Sequence, residues 1–91
     1  MSRLSGFNAE VTNDFASIAA GAESSLEVTV PGARLGDFAF VSLGVDVVDL
    51  ITTANVTAAD TVTVLLANAT AGAIDLASTT VRVKVVPYEV I

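Results

Sequence analysis

A chain of 91 residues, 53% of them hydrophobic, with a mean hydropathy of +0.72 and a formal charge of −6, is long enough for one core and too short for two. It contains neither cysteine nor histidine, which removes disulfide staples, thiolate metal sites, and the commonest general base and transition-metal ligand. Ten acidic residues against four basic ones repel phosphate backbones, so nucleic acid is not an expected partner.

Residues 1–23 differ from the remainder, mixing Ser, Asn, Gly and Ala with scattered apolar groups. Phe7, Val11, Phe15 and Ile18 recur at spacings of four, four and three, which suits one helical face, while Asn13, Asp14 and Gly21 oppose a long helix. The segment therefore reads as an extended N-terminal arm: either a partly ordered terminus with local turns, or a docking arm whose apolar side chains enter a neighbouring subunit, the alternative being that it supplies a strand or core plug to its own domain. The body, residues 24–91, begins where the pattern changes to period two.

Leu26, Val28 and Val30 alternate with polar residues as in a half-buried strand, and Pro31-Gly32 stops it with turn chemistry. Residues 38–43 form a second strand, with Phe38 and Phe40 on one face and Ala39, Val41 and Leu43 on the other. Both faces are apolar, as in a central strand or one covered by another subunit, and Val41 and Leu43 join the arm residues as candidate interface positions. Residues 45–50 read as a loop that could hold a short strand. Residues 50–57 and 60–68 are rich in β-branched residues and flank a short turn, as in a hairpin. Residues 73–78 suggest a further strand. The clearest is 79–86, where Val81, Val83 and Val85 face the core and Arg82 and Lys84 face out, until Pro87 ends the ladder. Residues 88–91 read as a short apolar tail able to pair with a neighbour.

Five to seven short strands separated by turns predict an all-β fold: a small antiparallel β-sandwich or barrel-like, jelly-roll-like domain. Pairing is expected to be antiparallel because the connections are short. A chain this small buries only roughly 60–65% of its unfolded surface. Its apolar surplus therefore implies a partner surface, the simplest being further copies of itself. No run of about 20 apolar residues is available to span a membrane, and residues 58–69 are interrupted by Asp60, Thr61, Thr63 and Asn68. Arg3 near the amino terminus is not followed by a continuous apolar stretch, so the chain is expected to be made without export.

No catalytic constellation is apparent, and an enzyme is not expected. Asp37, Asp46, Asp49, Asp60 and Asp75 lie near turns, but four Phe, one Tyr and no Trp offer no aromatic sugar platform for paired carboxylates. Asp37, Asp46 and Asp49 could supply oxygen ligands to calcium, although their spacing matches no EF-hand. No metal or other cofactor is predicted. Ser24, Ser25 and Ser78 have no histidine to activate them, and Lys84 fits an outward-facing charge. The glycines of residues 31–37 lack the Lys-Ser/Thr pair of a phosphate cradle. Asn55-Val56-Thr57 and Asn68-Ala69-Thr70 match glycosylation acceptors, but without export their Asn residues read as turn caps.

The strings VTVPGARLGDF (28–38), AADTVTV (58–64) and NATAGAIDLA (68–77), followed by the valine-rich strand, resemble a small β domain of virion proteins of tailed bacteriophages. The resemblance covers roughly residues 26–86. It implies a structural virion protein, in first place a capsid decoration (cement) protein that sits as a homotrimer on the head and clamps neighbouring major capsid subunits. A tail or fibre subunit, or a receptor-binding tip, is the alternative. A carbohydrate-binding module is a more distant one, since it would need aromatic residues to stack on sugars. No individual binding residue carries over from the resemblance.

Overall fold

The computed structural model describes residues 6–90. Six strands form two antiparallel three-stranded sheets: β1 (Phe7–Asn13), β2 (Glu23–Thr29), β3 (Phe38–Leu43), β4 (Ile51–Ala58), β5 (Thr61–Ala67) and β6 (Thr79–Val86). A short 3₁₀ turn, Tyr88–Val90, follows. The first sheet has the order β1-β6-β3 and the second β2-β5-β4. Each sheet must hide one face, and the two inner faces hide each other. The body is elongated, 44 × 21 × 19 Å, with a radius of gyration of 13.8 Å. A compact chain of this length would have roughly 12 Å.

The all-β sandwich agrees with the period-two reading of the body, and β3 and β6 have the bounds expected. The reason given for antiparallel pairing does not hold. Only β4 and β5 form a local hairpin. The other ladders join strands far apart in the chain: β1 with β6, β2 with β5, and β3 with β6. First pairs with last and second with fifth, a nested order like that of a rolled ribbon.

Three valines of β6 and the alternate residues of β5 form the centre. Val81, Val83 and Val85 face Val62, Val64 and Leu66 across the sandwich, all at most 2% exposed. Each such side chain contributes about 1.5–3 kcal/mol on burial. Val28, Val56 and Leu76 complete this layer.

The expectation of an arm over residues 1–23 is corrected for every described part of it; residues 1–5 lie outside the described residues. Residues 7–13 are a full edge strand, with Phe7 opposite Val85 and Val11 opposite Val81. Phe7, Ala9 and Val11 alternate with Asn8, Glu10 and Thr12, and it is period two that sets their facing. Beyond the strand, Phe15 and Ile18 are buried in the same core. Ile18 exchanges backbone hydrogen bonds with Ile74, at 2.8 and 3.0 Å. That isolated bridge is all that forms in 73–78, where a strand was expected.

Side chains secure the turns. Asn68 is buried and makes four hydrogen bonds: its Nδ2 donates to the carbonyls of Ile18 (2.8 Å) and Gly72 (2.9 Å), and its Oδ1 accepts from the Thr70 N–H (2.9 Å) and hydroxyl (2.7 Å). One amide thus fixes the 68–72 turn and ties it to the segment leading into β2. Asp60, at φ 62°, turns the β4–β5 hairpin, and its Oδ1 accepts the Gly32 N–H at 2.8 Å. Gly32, at φ 96°, lies under Phe7: a Cβ there would stand 2.8 Å from the Phe7 ring. Only glycine fits both the conformation and the space.

The β3–β4 loop carries a less comfortable residue. Val48 has φ 61°, a region that a β-branched side chain enters only under strain of about 1–3 kcal/mol. Asp46 Oδ1 accepts the Val48 N–H at 2.9 Å, and the Leu50 N–H donates to the Val47 carbonyl. Leu50 is buried, Val47 packs against the core, and Val48 is left outside, 57% exposed.

Candidate interaction face

The site residues expected from sequence are mostly interior. Phe7, Phe15 and Ile18 are buried core residues of their own chain. Val41 and Leu43 lie on the inner face of β3, half-buried and packed against that core. Val11 alone among the six is exposed, at the open end of β1. These positions are therefore not brought together as a partner surface, because the sandwich needed them to cover Val81, Val83 and Val85.

What remains outside is the opposite face of the same sheet. β3 is an edge strand, so it lacks the second neighbour that its two apolar faces suggested. Phe38 and Phe40 point outward and are exposed by 44% and 57%. Register places Phe38 opposite Val86, Phe40 opposite Lys84 and Ser42 opposite Arg82. On the other side of β6, Lys84 lies opposite Asn8 and Arg82 opposite Glu10. Phenylalanines on the edge strand thus border a central strand that carries two cations.

The face has two adjoining parts. At one end, Leu35, in the 34–37 turn that leads into β3, Phe38 and Tyr88 are all exposed. Tyr88 is held there because its N–H donates to Asp37 Oδ1 at 3.3 Å, while its ring lies 3.9 Å from where a Gly36 Cβ would stand. The 3₁₀ turn thus brings residues 88–90 back onto the start of β3, where sequence suggested a tail reaching for a neighbour. In the middle of the face is a shallow, open depression of about 580 Å³, bordered by Phe40, Ser42, Arg82, Lys84, Asn8 and Glu10. Arg82 Nε approaches Glu10 Oε2 at 3.3 Å, with both side chains more than half exposed. Lys84 has no carboxylate partner among the described residues.

Both patches could have been sought in the sequence through the repeats Phe38-x-Phe40 and Arg82-x-Lys84. What hides them is the pairing of β3 with β6, which joins residues far apart in the chain, Phe38 with Val86 and Leu43 with Val81, and decides which face of β3 is the outer one.

The carboxylates have structural work. Asp37 is buried and accepts the Arg34 N–H at 3.0 Å besides that of Tyr88, Asp60 holds the Gly32 turn, and Asp46 holds Val48. Asp37, Asp46 and Asp49 are not gathered into a ligand set, and among the described residues no three His, Cys, Asp or Glu side chains are placed to hold a metal ion. No helix among the described residues is long and apolar enough to cross a membrane. The chain matches no family model, no curated protein sequence and no solved structure.

Proposed function

We propose that the protein is a non-catalytic structural subunit of a tailed-bacteriophage virion: a capsid decoration protein, made in the host cytoplasm, that binds the head surface and clamps neighbouring major capsid subunits. The observation that carries the reading is that three large apolar residues about the start of β3, Leu35, Phe38 and Tyr88, are exposed, with Tyr88 tied to Asp37. Three large apolar side chains held by a rigid sheet and a hydrogen-bonded turn make a preorganised anchor, and anchors of this kind dominate protein–protein affinity. The sequence resemblance over residues 26–86 supplies the virion context.

The test is a cryo-EM reconstruction of the parent particle combined with rebinding to particles stripped of the protein. The expected result is density for the sandwich at capsomer junctions with the β3 edge against the capsid, and rebinding weakened at least about tenfold by Phe38→Ser with Tyr88→Ser. Density in the tail alone would transfer the protein to the tail or fibre reading. Absence from the particle would overturn both.

A further inference from the structure

We infer that the depression over β6 receives the β3–β4 loop of a second copy of this chain, with Val48 entering against Phe40 and the loop carboxylates meeting Lys84 and Arg82. The inference deepens the structural-subunit reading by naming how copies contact one another, and rests on that reading only for its biological setting.

Three observations meet here. First, Val48 is a β-branched residue at φ 61° that is also 57% exposed. Its own fold gains neither burial nor relaxed geometry from it, and glycine would serve this backbone better. Second, Asp46 and Asp49 flank that apolar tip, so the loop is an apolar knob between two negative charges. Third, the depression has the inverse character, with Phe40 as an apolar wall, Lys84 without a carboxylate partner among the described residues and Arg82 shared with Glu10. Among the described residues the only other basic side chain is Arg34, so this face is where an acidic loop finds complementary charge.

The symmetry of the contact follows from the same residues. Both cations lie on the middle strand, so stacking this face on its own copy about a two-fold axis sets cation against cation. A loop-to-face contact avoids that clash. The loop sits at the end of the sandwich, where β3 passes to β4, whereas the depression looks out from a sheet face. The contact is head-to-tail, so copies close into a ring where the rotation between them closes and continue as a helix where it does not.

Sedimentation equilibrium of the isolated protein over a concentration series tests this without any particle, so its outcome is separate from that of virion attachment. Wild type is expected to associate reversibly, and more weakly as salt is raised. Val48→Gly is expected to melt at a higher temperature than wild type yet to associate at least about tenfold more weakly. Lys84→Asp and Asp49→Lys, both at exposed positions, are each expected to be folded and monomeric alone, and to associate when mixed. In the mixture the reversed charge at loop position 49 of one variant meets the reversed charge at depression position 84 of the other. A wild type that stays monomeric throughout, variants that associate as wild type does, or a mixture that fails to associate would each overturn the inference.

Discussion

The outer faces of the two sheets are built from the same strand geometry and differ in kind. On β2-β5-β4 the outward positions are mainly short or polar: Glu23, Ser25, Glu27 and Thr29 on β2, Thr61 and Thr63 on β5, and Thr53, Asn55 and Thr57 on β4, with exposed Ile51 and half-buried Leu65 as the large apolar exceptions. They satisfy one another locally, as Thr57 Oγ1 and Thr63 Oγ1 do at 2.8 Å. Such a surface gains little from a partner. On β1-β6-β3 the outward positions include two phenylalanines and two cations, and the cross-strand pair Phe40–Lys84 leaves both members exposed. One sheet thus presents aromatic rings and cations together, while the other presents mainly hydroxyls and carboxylates with Ile51 at one end. High hydropathy alone does not distinguish them, because most of it is spent on the inner faces.

The largest expected effect tests whether both faces belong to one cooperative body. Deleting residues 1–20 removes β1 together with Phe7, Phe15 and Ile18, and is expected to abolish the cooperative melting transition seen by circular dichroism. A truncated chain that melts near the wild-type midpoint would restore the idea of a dispensable arm.

Next in size is the contrast between neighbours on β6. Val83→Asp places a carboxylate in the core without a partner and is expected to cost several kcal/mol, enough to unfold a domain of this size. Arg82→Ser, one residue along and on the outer face, breaks an exposed ion pair and should change stability by under about 1 kcal/mol. Equal denaturation midpoints for the two would mean that the assigned facing of β6 is reversed.

Asn68→Ala follows, at about 1–3 kcal/mol, because it removes the second donor to the Ile18 carbonyl, which keeps only the Ile74 N–H, and releases the 68–72 turn. Chemical denaturation measures it, and a loss near zero would show that water substitutes freely for the amide. The smallest stability effect is expected for Phe38→Ser, within about 1 kcal/mol, since the ring lies on the open face. If that single change proved as costly as Asn68→Ala, the β3 edge would be part of the core and the distinction between the two sheets would fail.

How much of this was legible in sequence follows from which signals are local. The valine alternation of β6 and the β-branched hairpin of β4 and β5 depend on residues near one another, and both read directly. β1 was misread because a spacing of four is a multiple of two as well as close to 3.6, so Phe7 and Val11 fit a strand and a helix alike, and Ala9 between them is a weak hydrophobe. The interaction face was hidden for a different reason. Phe38 and Phe40 were visible as a pair, but choosing between them and Val41 with Leu43 as the outward set requires knowing that β3 pairs with β6. Asn68 was legible as a turn cap; its bond to Ile18, fifty residues earlier, was not.

The central position of β6 has a consequence for synthesis. As the chain leaves the ribosome, β1 and β3 emerge well before β6, the only strand among the described residues that pairs with either, so the first sheet stays open until residues 79–86 are out. The second sheet can close earlier, once β5 has joined β2 and β4. Nascent chains therefore pass through an interval with one sheet formed and two apolar edge strands unsatisfied. That favours slow, late completion of the fold and makes this interval the point of greatest exposure to aggregation.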